Sequence, residues 1–130
     1  KEIMGFNLKT RGEIFGINEE LSEWGSPVFE KDDLEPGILG ESNKDGTIFI
    51  KEGISEKEAE ITVSHERVHQ EQMQQNRWDY TDNEVTWKKD TKSPARKYTR
   101  AEGMIIDNIT GNRAQEGGDF PWEREAYKKQ

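Results

Sequence analysis

Apolar positions in this chain fall into short clusters separated by long polar stretches, and the spacing within each cluster predicts a mixed series of strands and helices. From Glu2 to Lys9, Ile3, Met4, Phe6 and Leu8 alternate weakly, which predicts a short strand. Over Glu13–Trp24, Ile14, Phe15, Ile17, Leu21 and Trp24 come close to the 3.6-residue period, and Gly25-Ser26-Pro27 follows as a stop, so a packing helix is expected. Val28-Phe29 adds a short extended piece before Asp32-Asp33, and Glu35-Pro36-Gly37 reads as a turn. Ile38-Leu39 and Thr47–Ile50 flank Asn43-Lys44-Asp45-Gly46, where Asp-Gly supplies the positive φ of a tight turn. That pattern predicts a β-hairpin.

The longest periodic segment runs from Ser55 to Arg77. Ser55 as N-cap with Glu58 three residues on forms a capping box, and Glu56 and Glu58 suit the positive end of a helix dipole. Ala59, Thr62, Val63, Val68 and Met73 mark its buried side, and Gln70, Glu71, Gln74 and Gln75 its solvated one. Beyond Trp78-Asp79-Tyr80, Glu84–Lys88 is expected as a strand. Lys88, Lys89, Lys92, Arg96, Lys97 and Arg100 are expected to form a solvated loop, and Met104-Ile105-Ile106 a strand or a buried helical turn. Near the C-terminus, Asp119 or Phe120 serves as a cap and Pro121 sits well in a first turn, so a short second helix carries Glu123 and Glu125. The architecture these elements suggest is α+β: a small, mostly antiparallel sheet packed on the long helix and closed by the C-terminal helix, in one domain over residues 1–130.

Composition sharpens the picture at two points. Leu, Ile, Val and Phe supply only 24 of 130 residues, below the roughly 20% under which highly charged chains tend towards disorder. So small a core gains from a staple; with no cysteine present a disulfide is excluded, and a bound metal is the remaining candidate. The net charge of −8 argues against a nucleic-acid partner. No apolar run approaches the roughly 18 residues of a membrane span, so no membrane partner is expected.

Both histidines of the chain lie in Ser64-His65-Glu66-Arg67-Val68-His69-Gln70. Four residues apart on a helix, two imidazoles stand one above the other and reach a single ion, with Glu66 to their side. Zinc suits neutral imidazole, and a catalytic zinc needs three protein donors with one position left for water. Glu66 is then the candidate general base. The second helix brings two carboxylates, Glu123 and Glu125, far along the chain, and either can complete the donor set.

His65-Glu66-Arg67-Val68-His69 resembles the HExxH helix of zincin metallopeptidases, and Glu123-Arg124-Glu125-Ala126 resembles the downstream glutamate helix of their gluzincin branch. The stretch Phe120–Tyr127, together with His69-Gln70-Glu71-Gln72, is also similar to small zinc-peptidase-like proteins of bacteria and their phages. The resemblance implies a minimal zincin-like fold and a zinc metallopeptidase acting on a peptide or protein. Its metal ligands are His65, His69 and Glu123, its general base Glu66, with Glu125 as ligand only if the second helix starts in another phase. With Glu123 as ligand, Glu125 is expected to be dispensable. Many gluzincins carry Asp where this chain has Tyr127, so the resemblance leaves Tyr127 either to hold a histidine ligand or to face substrate as an oxyanion donor, a role Tyr98 or Tyr80 also fits. Two alternatives stand beside this expectation. One is a zincin-derived structural or interaction protein, such as a phage virion component, that keeps zinc for stability. The other is a hydrolase of non-peptide amides such as peptidoglycan cross-links.

Overall fold

The computed structural model describes residues 16–23 and 26–130, so the strand expected over Glu2–Lys9 lies outside the described residues. The described chain is α+β, with nine strands, two helices and two sheets where one small sheet was expected. Its contacts gather into two compact units, Lys1–Arg67 and Val68–Gln130, and the division falls inside the long helix.

The first unit holds β1 (Ile17–Glu23), β2 (Ser26–Lys31), β3 (Gly40–Ser42) and β4 (Ile48–Lys51) in the order β1-β2-β4-β3. β2 and β4 run parallel; the other pairs are antiparallel. β3 and β4 form the expected hairpin, its first strand beginning just after Leu39. Gly46 at φ 93° donates its N–H to Asn43 O, and Asp45 accepts from Thr47 N, which fixes the turn. From this sheet Val28, Ile48 and Ile50 pack against Ala59 and Val63 of the long helix α1 (Glu56–Gln74), with Leu21 and Ile54 at the margin.

The helix expected over Glu13–Trp24 is overturned, because Ile17–Glu23 is a strand. Ile17 and Leu21 lie on one face at a spacing of four in a strand as well as in a helix, so this pair cannot separate the two periods. An irregularity in the β1–β2 register between Asn18 and Glu23 blurs the alternation further. Asn18 and Ser22 then bind the bent backbone: Asn18 Oδ1 accepts from Leu21 N, and Ser22 Oγ accepts from Val28 N.

The second unit is an antiparallel meander: β5 (Trp78–Tyr80), β6 (Glu84–Trp87), β7 (Arg96–Ala101), β8 (Met104–Asp107) and β9 (Arg113–Gln115). The basic stretch expected as a solvated loop is in part its central strand. Tyr98 fills the inward position of β7, and the cations around it find carboxylates: Arg96 with Asp107, Lys97 with Glu84, Arg100 with Glu116. α2 (Pro121–Lys129) follows the meander, starting with Pro121 after Phe120 in the N-cap position. Asp119 does not cap it; its carboxylate takes Arg124 instead. Val85, Trp87, Tyr98, Ile105, Phe120 and Trp122 make the core of this unit, with the Phe120 and Trp122 rings stacked at 4.9 Å and Tyr98 edge-on to Trp122 at 5.0 Å.

α1 starts as the sequence predicts. Ser55 Oγ accepts the N–H of Glu58 at 3.1 Å, a hydrogen bond that satisfies one of the open donors of the first turn. It ends three residues earlier than expected. Asn76 takes φ 58°, its N–H reaches Met73 O, and the N–H of Arg77 reaches Gln72 O. That pair of bonds is a Schellman stop, which Asn tolerates because it enters the left-handed region more readily than most residues.

Candidate metal centre

His65 and His69 stand one turn apart on α1, His65 half-buried and His69 2% exposed. Glu123 arrives from the first turn of α2, and its Oε1 lies 3.0 Å from His69 Nε2. One donor atom from each of His65, His69 and Glu123 lies within 4.8 Å of the others. Tetrahedral donors at about 2.0–2.1 Å from a zinc ion stand about 3.3 Å apart, so two imidazole nitrogens and a carboxylate oxygen at this spacing fit the ion in chemistry and in scale.

The protons on His69 follow from its neighbours. Its ring packs on Trp78 at 4.6 Å between centroids, and its Nδ1 lies 2.8 Å from Gln72 Oε1. The Gln72 amide nitrogen donates to Trp122 O and to Glu125 Oε1, both at 3.1 Å. Its oxygen therefore faces the imidazole, and since an amide oxygen only accepts, Nδ1 carries the proton. By the same argument the Glu123 carboxylate is met either by a second proton, on Nε2 of an imidazolium, or by a cation at the lone pair of the neutral ring.

Glu125, two residues beyond Glu123, turns elsewhere. It takes both terminal nitrogens of Arg77, at 2.9 and 2.7 Å, besides Gln72. Hydrogen bonding by Arg77 holds its carboxyl below the ordinary value against the opposing effect of burial, and the same partner raises the Arg77 guanidinium. Arg77 also donates to Lys89 O and lies over the Trp87 ring at 4.9 Å. Of the two candidate glutamates, Glu123 meets a histidine and Glu125 serves this ion pair.

Glu66 is 8% exposed and belongs to the first unit. The Ser42 hydroxyl of β3 lies 2.8 Å from its Oε1 and 2.7 Å from its carbonyl oxygen. Gly40 of the same strand passes so close to α1 that a Cβ there would fall 2.5 Å from Thr62 Cγ2 and 3.0 Å from Glu66 Cγ. Tyr127 is 59% exposed on α2, one turn after Glu123. The side chain facing Nδ1 of His69 is Gln72. Tyr98 sits in the aromatic core, where burial raises its hydroxyl pKa, and the Tyr80 ring lies against Trp78 with Arg100 over its face.

Gln70, expected on the solvated side, is buried, as are Gln72 and Arg77. Ser42 and Gly40 carried no mark in the sequence, and nothing there gave Gln72 a role of its own. The one available signal is that Gln72 follows His69 by three residues and so shares its helix face. No protein-family model, characterised protein or solved structure matches this chain.

Proposed function

We propose that this chain is a zinc-dependent metallopeptidase of the HExxH type, with α1 as the active-site helix and α2 as the glutamate helix of a minimal zincin-like fold. The observation that carries the reading is the meeting of His69 Nε2 and Glu123 Oε1 at 3.0 Å, when Gln72 already accepts the proton of Nδ1. The place between these two groups takes a positive charge, either a proton on Nε2 or a metal ion. His65, one turn away on the same face, adds a second imidazole.

His65, His69 and Glu123 would hold the zinc, which would supply Lewis acidity towards a carbonyl and acidify water. Glu66 takes the proton of the attacking water and returns it to the leaving amine nitrogen. Ser42, donating to one oxygen of Glu66, orients that carboxylate. Tyr127, the most exposed of the three tyrosines discussed, is the donor proposed for the oxyanion.

The test combines metal analysis with hydrolysis of a broad peptide library. The wild type is expected to hold one zinc per chain, and Glu66→Gln to keep zinc and fold while hydrolysis falls by about a hundredfold or more. A chain that takes up no zinc at neutral pH sinks the reading. A second reading, a non-catalytic structural or interaction protein that keeps zinc for stability, is favoured by the engagement of Glu66 with Ser42 through both its carboxylate and its carbonyl. It wins if the wild type holds zinc tightly, cleaves nothing, and matches Glu66→Gln in every assay.

A further inference from the structure

Gln72 is a polar side chain with no exposed surface, and it takes no part in the hydrolysis steps proposed above. Both ends of its amide are committed. The nitrogen donates to Trp122 O and Glu125 Oε1, and the oxygen lies against His69 Nδ1. Turning the amide over would set its oxygen against a carbonyl oxygen and a carboxylate, neither of which has a proton to give, so one orientation is strongly preferred. The orientation is held from further out: Glu125 is gripped by two nitrogens of Arg77, and Arg77 by Lys89 O and the Trp87 face. The Schellman turn at Asn76 delivers Arg77 to that position.

We propose that Gln72, locked by Glu125 and Arg77, is the positioning residue that keeps His69 protonated on Nδ1 and so presents Nε2 to a divalent metal. The inference rests on the metal reading above and deepens it. An amide suits this position better than a carboxylate does, because the substitution Gln72→Glu would bring carboxylate oxygens against Glu125 and Trp122 O with no proton between them. A charge-conserving exchange follows. When Gln72→Glu is combined with Glu125→Gln, the new amide can donate to the new carboxylate, which still accepts from His69 Nδ1.

The experiment is a competitive zinc titration of the full chain against a chromophoric chelator, with imidazole N–H resonances followed by NMR. Gln72→Leu is expected to weaken zinc binding by about 10- to 100-fold, the usual scale for losing the partner of a histidine ligand, and to lose the protected His69 Nδ1–H signal of the wild type. Gln72→Glu is expected to weaken binding on the same scale, and Gln72→Glu/Glu125→Gln to recover part of it, since Trp122 O still faces an oxygen and Arg77 loses its carboxylate. A folded Gln72→Leu with wild-type affinity and an unchanged Nδ1–H signal overturns the proposal. If that variant does not fold, a double variant no better than Gln72→Glu overturns it instead. A wild type without zinc affinity fails at the earlier step and takes the metal reading down too, whereas zinc binding indifferent to Gln72 removes only the role given to Gln72.

Discussion

Glu123 and Glu125 sit two residues apart, and a helix turns about 200° over that interval, so one carboxylate meets His69 and the other meets Arg77 and Gln72. Their loss should therefore be felt differently. Glu123→Ala is expected to strip zinc affinity and the stability that comes with it. Glu125→Ala keeps the three donors but leaves the buried Arg77 guanidinium short of its main partner, a cost on the order of 2 kcal/mol. Urea unfolding of the metal-free variants checks both: Glu123→Ala should stay near the metal-free wild type, while Glu125→Ala falls below it. The expectation that Glu125 is dispensable is thereby confined to metal binding, because its pairing with Arg77 gives the carboxylate a structural task. His65, Glu66 and His69 were legible in the sequence because they lie about one helical turn apart, a local geometry, whereas Glu123 was preferred to Glu125 only through the resemblance. Gln72 was not legible, because its burial is decided by Trp122, 50 residues further on.

At the scale of elements, the sequence was readable wherever a local signal fixed the backbone and unreadable wherever pairing with a distant strand did so. The capping box of α1, the Asp-Gly hairpin and Pro121 at the start of α2 are signals of the first kind. β1 and β7 are of the second: Ile17 and Leu21 suit either period, and the charges of β7 hide a strand whose one buried side chain is Tyr98. The end of α1 was overrun because Asn76 is a weaker stop on paper than glycine, although its φ of 58° does the same task. Asn76→Gly should leave stability close to the wild type. Asn76→Ala should lose about 1 kcal/mol, since an alanine Cβ is strained in the left-handed region. Thermal unfolding of the two variants side by side measures the difference, and equal losses would mean that the Asn side chain, not its backbone, makes the stop.

For the whole molecule, a chain with only 24 Leu, Ile, Val and Phe residues has little apolar surface to bury, so metal bound only by the folded form should supply a noticeable part of stability. Acid should remove that part first. Imidazole ligands ordinarily take up protons near pH 6.5, and protons compete with metal for them, so the zinc contribution should fade as pH drops through about 6 to 5. The carboxyl groups behave otherwise. Hydrogen bonding from Thr47 lowers Asp45. Burial pushes Asp107 up, but Arg96 and the N–H groups of Ile109 and Thr110 outweigh it, and Asp107 also ends below its ordinary 3.8. Glu125, held by Arg77, lies below its ordinary 4.5. A carboxyl whose pKa is depressed by folding gives stability that is complete above the unfolded value and is lost as pH falls through the folded one. The share from these groups should therefore persist until pH drops below about 4. Melting temperatures across pH, with and without a chelator, should show two separate losses. The gap between the curves should close near pH 5, and both should then fall together below about pH 4. A chelator that changes nothing at pH 7 would show that the two cores suffice without metal, and a gap that survives unchanged at pH 5 would show that the imidazoles are not the ligands.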